Sequence, residues 1–159
     1  MSKAIYPGTF DPMTVGHLDI IKRAAAIFEE VTVAILVNPD KSPLFSVEER
    51  VKILTEATKH IPNVSIVSFS GLMADFAVQN DIAVSVRGLR SATDFEYEMI
   101  QAQYNKRLSN GALETVFMAT NPEYSYISSS GVKEVAAFGG DLSPYVPTFV
   151  AKLVEEKYK

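Results

Sequence analysis

Side chains suited to binding phosphate, rather than a nucleophile, stand out in this sequence of 159 residues. The first loop, residues 6–17, reads Tyr-Pro-Gly-Thr-Phe-Asp-Pro-Met-Thr-Val-Gly-His, and its two prolines and two glycines give the backbone a tight path. His17 follows Gly16 at a predicted helix start, where free N–H groups and the helix dipole favour an anion. A histidine there is placed to donate a hydrogen bond to a phosphate oxygen. The alternative is a capped turn with a surface histidine.

Two arginines follow the fourth predicted strand. Arg87 comes at the carboxyl end of an apolar run, and Arg90 comes three residues later. Forked guanidinium groups suit bidentate binding of phosphate. The alternative for each arginine is a structural salt bridge to Asp94, Glu96 or Glu98.

A lysine and a run of serines in two further loops complete the phosphate-binding candidates. Lys41 follows a buried strand and is flanked by prolines, which limits its reach, although a solvated lysine is the simpler interpretation. Ser128, Ser129 and Ser130 precede Gly131 at a predicted helix start. Capping explains one of these serines. An anion site at the helix start explains the whole run better.

Alternating strands and helices are predicted to position these loops. Strand patterns occur at residues 4–6, 31–37, 64–69, 82–86 and 113–119, and helical patterns at residues 17–30, 46–60, 71–80, 94–108, 129–138 and 145–157. This alternation indicates an α/β fold, with a single doubly wound domain over residues 1–159 and a five-stranded, mainly parallel sheet. In such sheets ligands bind beyond the carboxyl ends of the strands, near the point where strand order reverses.

The composition of the chain excludes several function classes. There is no cysteine, which rules out disulfides, cysteine-ligated zinc and thiol catalysis. The net charge of −4 and a pI near 5.2 do not favour binding to nucleic acid. Neither a signal peptide nor an apolar stretch of about 20 residues that could span a membrane is present, so we expect a soluble cytoplasmic protein. The sequence also lacks a Walker-type phosphate loop.

Several motifs resemble those of the nucleotidyltransferase superfamily, which also contains the class I aminoacyl-tRNA synthetases. Gly-Thr-Phe-Asp-Pro followed by Thr-Val-Gly-His17 is similar to its first signature, and Ile-Ser-Ser-Ser to its second. Many members have His-x-Gly-His in the first signature, whereas this chain has Thr14 at the first position. That departure, together with Arg-Gly-Leu-Arg followed by Asp-Phe-Glu-Tyr-Glu, resembles the phosphopantetheine adenylyltransferase branch. The resemblance covers Ala4 to about Val135.

The resemblance implies a Rossmann-like nucleotidyltransferase fold and the transfer of AMP from ATP to 4'-phosphopantetheine. The residues implied for ATP are Thr9, Phe10, His17, Gly88, Leu89, Arg90, Glu98, Tyr124, Ser125, Tyr126, Ile127, Ser128, Ser129 and Ser130. The residues implied for the acceptor are Thr9, Lys41, Met73 and Arg87, although ordinary helix packing is the alternative for Met73. The residues implied in catalysis are Thr9, His17, Lys41 and Arg90.

The same resemblance implies Mg²⁺ on the ATP phosphates, with no protein residue assigned as a metal ligand. It also implies a homohexamer and feedback inhibition by coenzyme A. One rival is a nicotinamide-mononucleotide adenylyltransferase or a cytidylyltransferase, against which Thr14 and the Arg-Gly-Leu-Arg segment argue. Another rival is a nucleotide sensor without turnover, against which intact His17, Lys41, Arg87 and the serine run argue.

Overall fold

The computed structural model describes residues 2–159 and contains the predicted alternation of strands and helices. Within that range the strands are β1 (Lys3–Gly8), β2 (Glu30–Leu36), β3 (Val64–Phe69), β4 (Val84–Leu89) and β5 (Glu114–Ala119). The helices of the same range are α1 (Val15–Ile27), α2 (Val47–Thr58), α3 (Met73–Gln79), α4 (Ala92–Leu108), α5 (Ser129–Ala137) and α6 (Thr148–Lys157), with a 3₁₀ turn at Pro122–Tyr124. No helix among these described residues is both long and apolar enough to cross a membrane.

The strands of residues 2–159 form one parallel sheet in the order β3-β2-β1-β4-β5. This confirms the predicted α/β fold with a five-stranded parallel sheet. The strand order reverses at β1, which pairs with β2 on one side and with β4 on the other. β1 and β4 pair at Ala4 with Val84 and at Ile5 with Ser85, and then diverge. Their divergence opens a crevice at the carboxyl edge of the sheet.

Both strands beside the crevice are longer than their apolar runs indicate. The sequence predicts that β4 ends at residue 86, but the strand continues to Leu89, and Arg87 pairs with Phe117 of β5. The loop after β4 therefore begins beyond Leu89, because hydrogen bonding to β5 outweighs the change to charged residues. β1 likewise includes Pro7, which is tolerated because β1 has already separated from β4 at that position.

The two faces of the sheet are covered unequally. Neighbouring residues of β1 point to opposite faces. Tyr6 belongs to the larger buried cluster, which also contains residues of α1, α2, α5 and α6. Ile5 belongs to a smaller buried cluster on the other face, beneath α3. α4 contacts α3, β4 and β5. Among its residues Glu98 is the buried one. α4 therefore stands away from the sheet and leaves room beneath it.

Candidate active site

Two cavities open from the crevice between β1 and β4. The α1 cavity, of about 260 Å³, is lined by the first loop, by α1 and by the start of α5. The α4 cavity, of about 610 Å³, is lined by the loop between β2 and α2 (residues 37–46, the second loop), by the start of α3 and by α4. The residues common to both are Pro7, Gly8, Thr9, Arg87 and Glu98. Molecules bound in the two cavities would therefore meet at this shared wall.

His17 is held at the start of α1 by Thr14. The Thr14 hydroxyl accepts the His17 backbone N–H at 3.2 Å, and the Thr14 backbone N–H donates to Nδ1 of His17 at 3.0 Å. Because Nδ1 accepts, the proton of the neutral imidazole lies on Nε2. Burial, and then the charges of Arg87 and Arg90, lower the pKa of His17 to about 4. At neutral pH the α1 cavity therefore contains an uncharged histidine with one N–H to donate.

Arg87 is fixed at the wall that the two cavities share. Its Nε and Nη2 donate to the two carboxylate oxygens of Glu98 at 2.9 and 2.8 Å, and its Nη1 donates to the carbonyl of Pro7. The structure thus contains the salt bridge that the sequence left as an alternative. The pair does not remove Arg87 from the site, because its side chain remains 31% exposed and lines both cavities. Glu98, which the resemblance assigns to ATP, is the partner of Arg87 in this salt bridge and also lines both cavities.

Arg90 is held beside the α1 cavity by the first turn of α4. Its Nε and Nη2 donate to the Asp94 carboxylate at 2.9 and 3.3 Å, and its Nη1 donates to the carbonyl of Ile127 at 3.1 Å. The hydrogen bond from Arg90 lowers the pKa of Asp94, so the carboxylate stays charged and keeps the guanidinium in place. The two arginines therefore occupy different parts of the crevice, Arg87 between the cavities and Arg90 in the α1 cavity.

The serine run before α5 is used mainly by the fold. Ser128 caps the helix by accepting the Gly131 N–H at 3.0 Å, and the Ser129 hydroxyl donates to the carbonyl of Pro12 at 2.7 Å. Ser130 is exposed and does not line the cavity. Capping therefore explains Ser128, as the sequence allowed for one serine, and the proton of its hydroxyl remains available to a ligand. The Ser129 proton is already donated within the fold. The start of α5 still opens into the α1 cavity through Ser128 and Ser129.

Most of the sequence-predicted residues come together in these cavities. Among the residues implied for ATP, those absent from the lining of the α1 cavity are Leu89, Ser125, Tyr126 and Ser130. The acceptor residues that line the α4 cavity are Thr9, Lys41, Met73 and Arg87, which is the full set implied by the resemblance. Met73 also packs against the smaller buried cluster, so its packing alternative holds alongside its place in the lining.

Sequence reasoning missed the buried polar residues that tie the loops together. The Asp11 carboxylate, in a residue that is 2% exposed, accepts the backbone N–H groups of Leu44 and Phe45 at 2.8 and 2.9 Å and the Lys133 ammonium at 2.9 Å. Arg50, 3% exposed, donates to the carbonyl of Thr9 at 2.9 Å. The position of Asp11 beside a proline in a rigid loop was the signal available in the sequence. Its partners could not be identified from it, because they lie 33 to 122 residues away.

Known proteins resemble this chain in sequence and in fold. The cytidylyltransferase-like family model matches residues 5–135. The phosphopantetheine adenylyltransferase of Caldanaerobacter subterraneus subsp. tengcongensis is 52% identical over 159 residues, which cover 100% of this chain and 99% of the relative. That of Heliobacterium modesticaldum is 53% identical over 158 residues, covering 99% and 94%. The solved structure of Plasmodium falciparum nicotinic acid mononucleotide adenylyltransferase has a TM-score of 0.68 at 14% identity, covering 98% and 93%, so that likeness concerns the fold alone.

Proposed function

This chain belongs to the phosphopantetheine adenylyltransferase family, and we propose that it transfers AMP from ATP to 4'-phosphopantetheine, giving dephospho-coenzyme A and pyrophosphate. The observation that carries this proposal is the meeting of two cavities at Arg87. The reaction must bring two phosphate-bearing substrates together, and a cation on the shared wall meets that need. ATP would occupy the α1 cavity and 4'-phosphopantetheine the α4 cavity.

The chemistry of the α4 cavity suits an acceptor that is charged at one end. Its cations are Lys41 and Arg87, and its apolar lining includes Leu72, Met73 and Leu108. No described residue forms a hydrogen bond or ion pair with the Lys41 side chain, which leaves this cation available to a ligand. The acceptor phosphate would bind the two cations, and its uncharged arm would lie along the apolar residues.

The proposed reaction needs no protein nucleophile and no general base. A phosphate monoester has a second pKa of about 6, so the acceptor is mostly dianionic at neutral pH. Its oxygen forms a bond to the α-phosphorus of ATP while the bond from that phosphorus to the β-phosphate oxygen breaks. Repulsion between the anions is the main barrier, and alignment with charge neutralisation lowers it.

Three groups of residues would lower that barrier. Lys41 and Arg87 would neutralise and orient the attacking phosphate. Thr9 and His17 would donate hydrogen bonds to the α-phosphate as its charge grows. Arg90 would stabilise the leaving pyrophosphate.

The start of α5 would assist the departing pyrophosphate through its backbone. The Ser129 hydroxyl already donates to Pro12. The first N–H groups of the helix, at Ser129 and Ser130, are therefore the better candidates for binding β and γ phosphate oxygens.

We also propose that Mg²⁺ reaches the site on ATP. Residues 2–159 contain no group of three or more His, Cys, Asp or Glu side chains able to hold a metal. The acidic residues of the α1 cavity, Asp94 and Glu98, are paired with Arg90 and Arg87. Because Mg²⁺ often keeps its waters and binds substrate phosphates, this donor set fits a metal held mainly by ATP.

An exposed apolar surface on α4 supports a homo-oligomer. Tyr97, Ile100, Tyr104 and Leu108, the α4 stripe, lie on one face of the helix and are 62%, 52%, 64% and 44% exposed. A contiguous exposed apolar surface of this kind commonly marks a site of contact with another protein. We propose that a second copy covers it within the hexamer that the family resemblance implies. Tyr97, Tyr104 and Leu108 also line the α4 cavity, so that contact would narrow the acceptor site.

Coenzyme A combines an adenine nucleotide with a pantetheine arm. We therefore propose that it inhibits the enzyme by competing for both cavities.

We place the reaction in the cytoplasm, where ATP is supplied.

Pyrophosphate release tests the proposed function. Wild-type protein with ATP and Mg²⁺ should release pyrophosphate rapidly with 4'-phosphopantetheine and much more slowly with nicotinamide mononucleotide. Faster release with nicotinamide mononucleotide would identify a different acceptor. ATP binding without release for either acceptor would instead support a nucleotide sensor.

A further inference from the structure

Ser85 places an unpartnered hydroxyl in the wall of the α4 cavity. The residue lies in β4, opposite Ile5 of β1 and Thr115 of β5. It is 1% exposed, and its Oγ has no hydrogen-bond partner among residues 2–159. Ser85 nevertheless contributes to the lining of the α4 cavity. A polar group of a molecule bound in that cavity would complete its hydrogen bonding.

The absence of an internal partner has an energetic meaning. A buried hydroxyl that has left water without gaining a partner is destabilising, and such groups are rare in folded proteins. Apolar residues would serve the sheet at least as well at this position, since Val84 and Val86 are its neighbours in the strand. Packing of the fold therefore gives no reason for a serine, whereas a bound molecule with a polar group does.

The position of Ser85 along β4 indicates which part of a ligand it would meet. Side chains two residues apart in a strand share a face and start about 7 Å from each other. Ser85 thus lies about 7 Å along the strand from Arg87, which is on the proposed phosphate-binding wall. In 4'-phosphopantetheine, the first polar groups along the arm after the phosphate are the secondary hydroxyl and the first amide, so these are the groups that Ser85 would meet.

We propose that Ser85 is a specificity-determining residue whose hydroxyl hydrogen-bonds the arm of the acceptor at its secondary hydroxyl or first amide. This inference rests on the proposed function, because it takes 4'-phosphopantetheine as the occupant of the α4 cavity. Lys41 and Arg87 would select the phosphate, and Ser85 would select what is attached to it. Acceptors with a phosphate and an apolar tail would leave Ser85 unpartnered and bind less well.

The test compares Ser85→Ala with wild type by calorimetry and by steady-state kinetics. The dissociation constant and KM for 4'-phosphopantetheine should rise about 3- to 10-fold, the usual net value of one hydrogen bond. KM for ATP and kcat should not change. The melting temperature should not fall, because the variant loses an unpartnered group. Ser65→Ala removes a strand hydroxyl that lines neither cavity and is the matched control.

Ethyl phosphate separates recognition of the arm from recognition of the phosphate. It carries the charged end of the acceptor without the arm, so Ser85→Ala should not change its inhibition constant, whereas Lys41→Ala should raise it. Equal effects of Ser85→Ala on ethyl phosphate and 4'-phosphopantetheine would overturn the proposal. So would an unchanged affinity for 4'-phosphopantetheine, or a clear loss of stability in Ser85→Ala. If wild type does not turn over 4'-phosphopantetheine, the proposed function fails and this inference fails with it; if wild type is active, these outcomes overturn the role of Ser85 alone.

Discussion

His17 is the residue whose local geometry defines its chemistry most narrowly. Its Nδ1 is occupied by the Thr14 N–H, which leaves Nε2–H as the donor for the α1 cavity. We expect His17→Ala to lower kcat by about 10² or more, the usual cost of losing one transition-state donor. His60→Ala, which removes the exposed histidine after α2, is the control. A kcat for His17→Ala within about threefold of wild type would remove this residue from the mechanism, since loss of a donor costs far more.

The low pKa of His17 also predicts sensitivity of the fold to acid. Its pKa is near 6.5 in an unfolded chain and about 4 in the folded protein. Between those values the unfolded state binds a proton that the folded state does not, so the free energy of unfolding falls as pH drops through this window. Part of the ring faces the open cavity, and water there screens the effect. We therefore expect about 1–2 kcal/mol of this loss between pH 7 and pH 5 to come from His17.

Urea unfolding at both pH values measures that contribution. His17→Gln should lose less stability than wild type on going from pH 7 to pH 5, whereas His60→Gln should behave like wild type. The same pH dependence in all three proteins would show that the pKa of His17 is not lowered by folding.

Lys41 is predicted to recognise the phosphate of the acceptor. A lost charged hydrogen bond costs about 1.5–3 kcal/mol, so Lys41→Ala should weaken 4'-phosphopantetheine by a factor of about 10 or more. Pantetheine has no phosphate, and its weak binding should hardly change. Calorimetry with both compounds measures the difference. Equal weakening of the two ligands would return Lys41 to the role of a solvated lysine.

At the scale of elements, the sequence predicts where structure begins better than what holds it in place. Ser46-Val-Glu-Glu49 matches a capping box at the start of the helix predicted over residues 46–60, and both of its hydrogen bonds form. Such a motif can be recognised locally because its two partners are three residues apart. Thr14 departs from the superfamily motif, and only the structure reveals that it caps α1 and orients His17. The extension of β4 through Arg87 depends on β5, whose pairing is not visible in a local pattern.

The contact between the first loop, the second loop and α5 depends on Asp11. Its carboxylate is the common acceptor for two backbone N–H groups of the second loop and for Lys133. Asp11→Ala would leave these donors without a partner, and removing one side of a buried ion pair typically costs about 3–5 kcal/mol. Because Lys133 is 34% exposed, water can partly replace the carboxylate. We therefore expect Asp11→Ala to lower the free energy of unfolding by about 2–3 kcal/mol.

Chemical denaturation of Asp11→Ala measures this loss. Asp40→Ala removes an exposed carboxylate of the second loop and should change stability little. The affinity for 4'-phosphopantetheine should also fall in Asp11→Ala, because Lys41 lies in the loop that Asp11 holds. A variant as stable as wild type would show that the Asp11 contacts contribute little to the fold.

At the scale of the molecule, the topology explains why residues far apart in sequence meet. The reversal of strand order at β1 brings the ends of β1 and β4 together, so Thr9 and Arg87 share one wall. This general location follows from alternating strands and helices. The division of the crevice into two cavities does not, because it depends on how far α4 stands from the sheet. Only Glu98 is buried among the residues of α4. The spacing of apolar residues predicts the helix but not how few of its side chains pack against the sheet.

The α4 stripe predicts the assembly of the molecule. Ile100 is half-exposed, lies within the stripe and does not line either cavity. Placing a charge there should separate copies without altering a ligand-binding side chain, because a buried unpaired carboxylate at an interface is strongly unfavourable. We therefore expect wild type to be an oligomer and Ile100→Glu to have a lower mass by light scattering. Phe138→Glu, at an 88% exposed apolar residue outside the stripe, should keep the wild-type mass.

The KM for 4'-phosphopantetheine should rise in Ile100→Glu, since the stripe borders the α4 cavity, while KM for ATP should change less. A wild-type monomer would contradict the proposed assembly, and a loss of mass in Phe138→Glu but not in Ile100→Glu would place the contact between copies elsewhere.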